Sequence, residues 1–334
     1  MQDDTQIRRL GARGPVTSPL GLGLMGMSDF YGPAEDAESL STIHAAMEQG
    51  IVLFDTADFY GSGHNEMLLA RALEWKRDTA FIQVKFGVLR DPAGGFLGAD
   101  WRPASIKNAL AQTLRRLGTD HVDLYQPARV PHDVPVEDWM GALVECVEAG
   151  WVRHIGLSEA SGKTIRAAHA IHPITAVQQE WSLMSRSVEG SVLAACRDLG
   201  IGITAYGVLS RGLLSGHMGA DAMAGRREFR AMAPRFQGDA FRKNLALTDA
   251  LAALAQARGC TTAQLAIAWA LHRGDDVVPL VGARRRDRLA EAIGALDIHL
   301  TQHDLVEIES AVPAAEVRGT RYDARGMAML DSER

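Results

Sequence analysis

Eight short apolar runs, each giving way to an amphipathic helical pattern, lie in a chain with no Pro/Ser linker and no shift of composition. Together these predict one (β/α)8 TIM barrel spanning residues 1–334 as a single domain. The strand runs are "LGLGLMGM", "GIVLFDTA", "TAFIQVKFG", "HVDLYQP", "VRHIGLSE", "ITAVQQEW", "GIGITAYG" and "VVPLVGA". They are apolar throughout instead of alternating, which suits a parallel sheet covered by helices. The intervening patterns, among them "SLSTIHAAMEQG", "NEMLLARALEW", "RPASIKNALAQTLRRLG" and "VEDWMGALVECVEAG", have helical spacing, and several end in Gly as helix C-termini prefer. "LTDALAALAQARGCTTAQLAIAWALHRG" reads as one long helical stretch. The opening "IRRLGARGPVTSPLGLG" predicts an N-terminal β-hairpin across the barrel bottom. Residues 216–241 predict a long loop, too extended for an ordinary connection and suited to a lid or binding role.

A competing fold rests on Gly21, Gly23 and Gly26, which match the G-x-G-x-x-G dinucleotide fingerprint. That motif opens a helix at once and places an acidic residue about 20 positions on. Here "MSDFYGP" follows and the next strand-borne acid, Asp55, comes later, so the spacing disfavours it.

The 334 residues are 47% hydrophobic and 23% charged, enough to bury a large core. A net charge of −6 and a pI near 6.0 supply no basic field for nucleic acid or an anionic membrane. No apolar run approaches the roughly 18 residues of a membrane span. "MQDDTQIRRLGARG" has no apolar core of a signal peptide, so a cytoplasmic location is the expectation. Cys146, Cys196 and Cys260 are far apart, without metal-ligand spacing, and read as reduced core residues.

In a barrel of this kind chemistry gathers at the C-terminal ends of the strands. Strand two ends "FDTADFYG", where Asp55 directly follows four apolar residues and needs a cation to be tolerated. Strand three supplies Lys85, one of only five lysines against thirty arginines. Tyr60 lies in the loop before a helix that Asn65 is placed to cap. The spacing leaves two readings: a structural Asp55–Lys85 ion pair beside an ordinary loop aromatic, or a Lys85 that lowers the pKa of Tyr60 so that the phenol donates a proton. The second requires about 4 kcal/mol to bring a phenol from about 10 to about 7.

"FDTADFYG", "VKFG", "DLYQ", "GLSEAS", "AVQQEWSLMSR", "AYGVLSRGLLSG" and "VGARRRDRLAEA", in this order, together with "GTRYDARGMAMLD", strongly resemble the aldo-keto reductase superfamily. The likeness is strongest to bacterial members near aryl-alcohol dehydrogenases, pyridoxal reductases and potassium-channel β subunits. It implies an NADPH-dependent carbonyl reductase in which Tyr60 donates the proton and Asp55 and Lys85 support it. It further implies that Gly26, Met27 and Asp55 border the cofactor, that Ser158, Glu159 and Gln178 contact its carboxamide and that Tyr206 and Gly207 lie at the nicotinamide. Leu209, Ser210, Arg211 and Gly212 correspond to the pyrophosphate loop, and Gly282, Ala283, Arg284, Arg288 and Glu291 to the 2′-phosphate segment. The chain supports the last assignment independently, since "GARRRDR" packs four arginines into five positions and guanidinium forks suit phosphate.

The resemblance also exposes a departure. Relatives carry a histidine followed by "RV" at the end of strand four, and Arg129 and Val130 put Ala128 at that position. The methyl group implies room for a bulkier carbonyl substrate or for a water, and His132 is the nearest imidazole in sequence. A weakly catalytic or non-catalytic NADPH-binding redox sensor is the alternative that Ala128 keeps open. Aromatics at Phe30, Tyr31, Phe96 and Trp101 are expected to wall the substrate site. The substrate and the oligomeric state are not set by the sequence.

Overall fold

A computed structural model describes residues 7–219, 221–222 and 229–334. The predicted barrel is present. Its strands are β3 (Gly21–Gly23), β4 (Leu53–Ala57), β5 (Phe81–Phe86), β8 (Val122–Pro127), β9 (Val152–Ser158), β10 (Ile174–Glu180), β11 (Gly202–Tyr206) and β12 (Val277–Val281). They pair in parallel and close in the order β10-β11-β12-β3-β4-β5-β8-β9. The N-terminal hairpin, β1 (Arg8–Arg9) on β2 (Val16–Thr17), also forms. Its turn carries Leu10, fully buried among Leu53, Phe81, Leu124, Ala176, Val278 and Leu280, so the hairpin seals the barrel floor with one apolar side chain. The hairpin is pinned by Ala12 N–H donating to Gly200 O at 2.8 Å, an approach that leaves no room for a Cβ at Gly11.

Helices α1 (Asp36–Glu48), α2 (His64–Ala72), α3 (Pro103–Leu117), α4 (Val136–Glu148), α5 (Gly162–Ile171) and α6 (Ser191–Leu199) follow their strands around the outside. Three local expectations are corrected. The stretch expected to be one long helix is two. Preceded by the short α7 (Phe229–Met232), α8 (Gly238–Ala257) stops before Gly259 at φ 70°, and α9 (Thr262–Leu271) restarts behind a Thr261–Gln264 capping box. The loop expected over 216–241 is shorter at its far end. It contains α7 and a 3-10 turn at Pro234–Phe236, and α8 begins at Gly238; residues 220 and 223–228 lie outside the described part. Asn65 is not a cap either: the N-cap is Gly63, while Asn65 is buried and bonds Thr56 Oγ1, Leu24 O and Ser28 Oγ, tying β4 to the segment after β3.

One element was not expected. After β5 the chain makes an antiparallel hairpin, β6 (Val88–Arg90) on β7 (Phe96–Ala99), whose turn is held by Asp91 Oδ1 accepting from Ala93 N and Gly95 N. The remaining helices, α10 (Arg286–Ile293), α11 (Gln302–Ala311) and α12 (Ala324–Ala328), carry the chain back to the mouth, where Ser332 N donates to Glu159 O at 3.0 Å.

Candidate active site at the barrel mouth

Parallel register delivers the central charges. Gly23 is opposite Asp55, Ala57 opposite Lys85, and Lys85 opposite Gln126, so the C-terminal ends of β3, β4, β5 and β8 converge on one spot. Lys85 Nζ donates to both Asp55 oxygens at 2.7 Å, and both residues are 5% exposed, which leaves the pair almost without water. Gln83 Nε2 and Gln178 Nε2 donate to Asp55 Oδ1 at 2.9 and 2.7 Å. The Tyr60 ring centroid lies 5.1 Å from Lys85 Nζ. Thus the structure brings Asp55, Lys85, Tyr60 and Gln178 together.

The expected direction of the Tyr60 shift is reversed. Burial, reinforced by the Asp55 carboxylate, pushes the phenol well above its usual 10, and the cation that pulls it back is Arg129. The physical reason is the bidentate pairing: Lys85 is neutralised by Asp55, so the phenol experiences little net positive charge from that pair. Burial likewise lowers Lys85, against Asp55.

Ala128 is 1% exposed and packs with Ala57, Phe59 and Tyr60. Its methyl group therefore faces side chains, which corrects the expectation of open room there. His132 is exposed and lines a cavity of about 260 Å³ together with Trp101 and Arg129, away from that packed cluster. Phe30 meets Tyr60 edge-on at 6.0 Å, Phe96 at 6.1 Å and Phe229 at 5.4 Å. Tyr31 stacks under Arg230 at 5.2 Å, and Trp101 lies over Gly87. The aromatic wall is present, with Phe229 added.

Beside it the C-terminal segment forms a network that the sequence did not announce. Glu159, at φ 53°, accepts from Arg321 Nη1 and Nη2 at 2.8 and 2.6 Å, from Ser332 Oγ at 2.6 Å and from Tyr206 Oη at 2.7 Å. Burial opposes the Glu159 charge, but Arg321 outweighs it and brings the carboxyl down to about 2. Arg321 also reaches Glu180 at 3.3 Å. Tyr322 Oη lies 3.2 Å from Tyr206 Oη, and its ring lies under the Arg211 guanidinium at 4.3 Å. Ser158 is 1% exposed at the end of β9, beside Glu159.

The expected pyrophosphate loop is strained backbone. After Gly207 (φ 67°) and Leu209, the chain runs through Ser210, Arg211 and Gly212 at φ 47°, 56° and 98°. Two consecutive non-glycine residues there carry a cost of order 1 kcal/mol each, a pattern that collects at functional sites. Arg211 is clamped by Glu180 at 3.3 Å and by the Arg321 carbonyl.

Across the mouth, Gly26 faces Arg284: a Cβ on it would stand 3.3 Å from Arg284 Cδ and from the Tyr31 ring. Met27 is 1% exposed beneath. Gly282 is open where a Cβ would stand, and Ala283 is buried. The four arginines are not equivalent. Arg285 pairs with Asp287 and Arg286 with Glu38, whereas Arg288 binds Glu291 at 3.0 Å. Among the described residues Arg284 bonds only the carbonyls of Tyr31 and Pro33, at 3.0 and 3.3 Å.

Comparison with known proteins agrees with this geometry. A sequence model of the Aldo/keto reductase family matches residues 19–313. The chain belongs to this family, and is thereby an oxidoreductase of the carbonyl-reducing, nicotinamide-cofactor class. It is 41% identical over 325 residues to a probable aldo-keto reductase of Glycine max, covering 96% of this chain and 93% of that one. A glycerol dehydrogenase from Gluconobacter oxydans superposes with TM-score 0.84 at 28% identity, over 92% of this chain and 95% of that one. An aldo-keto reductase from Bacillus halodurans, in its holo form, superposes with TM-score 0.77 at 25% identity, over 92% and 97%. Among the described residues no helix is long and apolar enough to cross a membrane.

Proposed function

We propose that the chain reduces aldehydes or ketones to alcohols with NADPH, Tyr60 delivering the proton to the carbonyl oxygen. The observation that carries this reading is the buried Asp55–Lys85 pair set 5.1 Å from the Tyr60 ring at the converging strand ends. NADPH, when bound, supplies the hydride. The residues fit it by donor chemistry: among the described residues Arg284 has no carboxylate partner, Gly282 is open, and Ser210–Gly212 form a strained loop. Arg284 and Arg288 would hold the 2′-phosphate, Leu209–Gly212 the pyrophosphate, and Ser158, Gln178 and Tyr206 the nicotinamide end. Glu159, saturated by Arg321, Ser332 and Tyr206, would fix the phenol of Tyr206 in place.

The Tyr60 phenol, raised well above 10, stays protonated at neutral pH and is always loaded as an acid. Once the proton leaves Oη for the substrate oxygen, the phenolate left behind is held by the nearby charge of Arg129. Asp55, fixed by Gln83 and Gln178, keeps Lys85 from drifting.

The test is Tyr60→Phe. Loss of the acid should reduce NADPH-dependent aldehyde reduction, followed at 340 nm, by about 10²- to 10⁴-fold. NADPH affinity by fluorescence titration should be unchanged. A variant keeping most of its turnover, with chemistry rate-limiting, would assign the proton to another group.

A further inference from the structure

Arg129 stands immediately after the packed Ala128, at the point where the chain leaves β8. A guanidinium has five N–H donors. Arg129 spends two: Nη1 donates to its neighbour's carbonyl, Ala128 O, at 2.6 Å, and Nη2 donates to Tyr322 Oη at 3.3 Å. It makes no ion pair within 4.0 Å among the described residues. Its neighbours at the mouth differ, since Arg90 pairs with Asp29 and Arg211, Arg235 and Arg321 all pair with Glu180. A half-buried cation with no carboxylate in ion-pairing range among the described residues keeps donors free for an anion, although Glu159 stabilises its charge from further off.

The free side of Arg129 faces a cavity of about 260 Å³ walled by Trp101, Val130 and Met329, with His132 and Asp133 at its exposed rim. Asp133 is outside ion-pairing range of Arg129, so the cavity holds an apolar wall and a guanidinium that has hydrogen bonds and the Tyr322 ring but no carboxylate among the described residues. A planar fork over an aromatic wall matches a carboxylate attached to an arene or short chain. Tyr60 does not line the cavity, which adjoins the end of β8, where Arg129 directly follows the Ala128 that packs against Tyr60.

We propose that Arg129 selects carbonyl substrates bearing a carboxylate, gripping the acid group while the carbonyl lies toward Tyr60. This rests on the reading of Tyr60 as the proton donor, and the experiment separates the two. Steady-state kinetics with NADPH compare para-carboxybenzaldehyde with its neutral methyl ester, as kcat/KM, in the parent, Arg129→Gln and Arg129→Lys. Calorimetric titration of the cofactor-free protein with both compounds gives a binding readout that needs no turnover.

The parent should favour the acid over the ester by at least about tenfold, through KM and not kcat. Arg129→Gln should bring that ratio to near one, with Arg129→Lys between. An acid that binds no tighter than its ester in the parent overturns the proposal without any variant. So does a preference that survives Arg129→Gln. Binding preference lost in Arg129→Gln, with neither compound reduced by the parent, supports the carboxylate site and overturns the catalytic reading instead.

Discussion

Replacing Asp58 by asparagine should make the chain more stable at pH 8 and flatten the response of its stability to pH. Asp58 lies two residues before Tyr60, with Oδ1 sealed from solvent and without a hydrogen-bond partner among the described residues. Burial pushes its carboxyl from 3.8 up to about 7; Glu66 adds to the rise, while Arg116 and the backbone N–H groups of Gly87 and Phe59 oppose it. The same surroundings hold two more unsatisfied atoms, Glu66 Oε1 and Tyr125 Oη. In the unfolded chain Asp58 releases its proton near 3.8, whereas in the folded chain it keeps it until about 7. The unfolded state thus binds fewer protons across that interval. Stability from this group is fully present below pH 3.8 and is lost as pH rises towards 7.

Each pH unit in the interval costs about 1.4 kcal/mol, so the total is at most about 4 kcal/mol. A neighbouring cavity of about 210 Å³ lined by Asp58, Ser62 and Arg116 admits screening. The realised cost is expected at about 1 to 3 kcal/mol, that of a typical unsatisfied buried polar group. Asparagine is isosteric and stays neutral across the whole range. Denaturant unfolding of both proteins at pH 5, 6, 7 and 8 measures the difference, which cancels groups common to both. The Asp58→Asn advantage should widen by about 1 to 2 kcal/mol from pH 5 to 8. A gap that stays constant, or a parent that gains on the variant as pH rises, would show a charged and satisfied Asp58 in the fold.

In the proposed cofactor segment, Arg284→Ala should shrink the NADPH-over-NADH affinity ratio by at least about tenfold. Arg288→Ala should shrink it less, because Glu291 already claims that guanidinium; fluorescence titration with both cofactors ranks them. Ala128→His should not create an additional proton donor but overpack the cluster of Ala57, Phe59 and Tyr60 at a cost of about 1 to 3 kcal/mol. Thermal unfolding together with unimproved kcat/KM for a small aldehyde would bear this out, and a gain in rate without loss of stability would refute it.

The barrel was legible because fully buried parallel strands leave continuous apolar runs, and Asp55 and Lys85 were legible because a charge inside such a run is anomalous. The hairpin over 88–99 was not, because its strands are short, Gly-broken and exposed at Phe96 and Leu97, so no period marks it. The break between α8 and α9 was readable in "GCTTAQ", whose Thr261 and Gln264 have capping-box spacing. The Tyr60 shift was misjudged because sequence spacing names the cation but not its stoichiometry with Asp55. The partners of Glu159 lie 162 and 173 positions away at Arg321 and Ser332, a pairing no local pattern encodes.

Charge at the mouth ties these threads to the two ligands proposed. Among the described residues the buried carboxylates there are Asp55, Glu159 and Glu180, with Glu333 at the edge of the network. The facing cations are Lys85, Arg129, Arg211, Arg235 and Arg321. Lys85 is cancelled by Asp55, and Arg211, Arg235 and Arg321 are matched in number by Glu180, Glu159 and Glu333, so Arg129 is the cation left over among the described residues. A chain of net charge −6 therefore leaves one half-buried cation without an ion pair at the barrel mouth, where reduced dielectric extends its reach. Such a surplus is open to an anion. The strained Ser210–Gly212 loop lies on one side of the mouth and Arg129 on the other. A phosphate-bearing cofactor on the first side still leaves Arg129 without an ion pair among the described residues, which is why the second anion is assigned to the substrate.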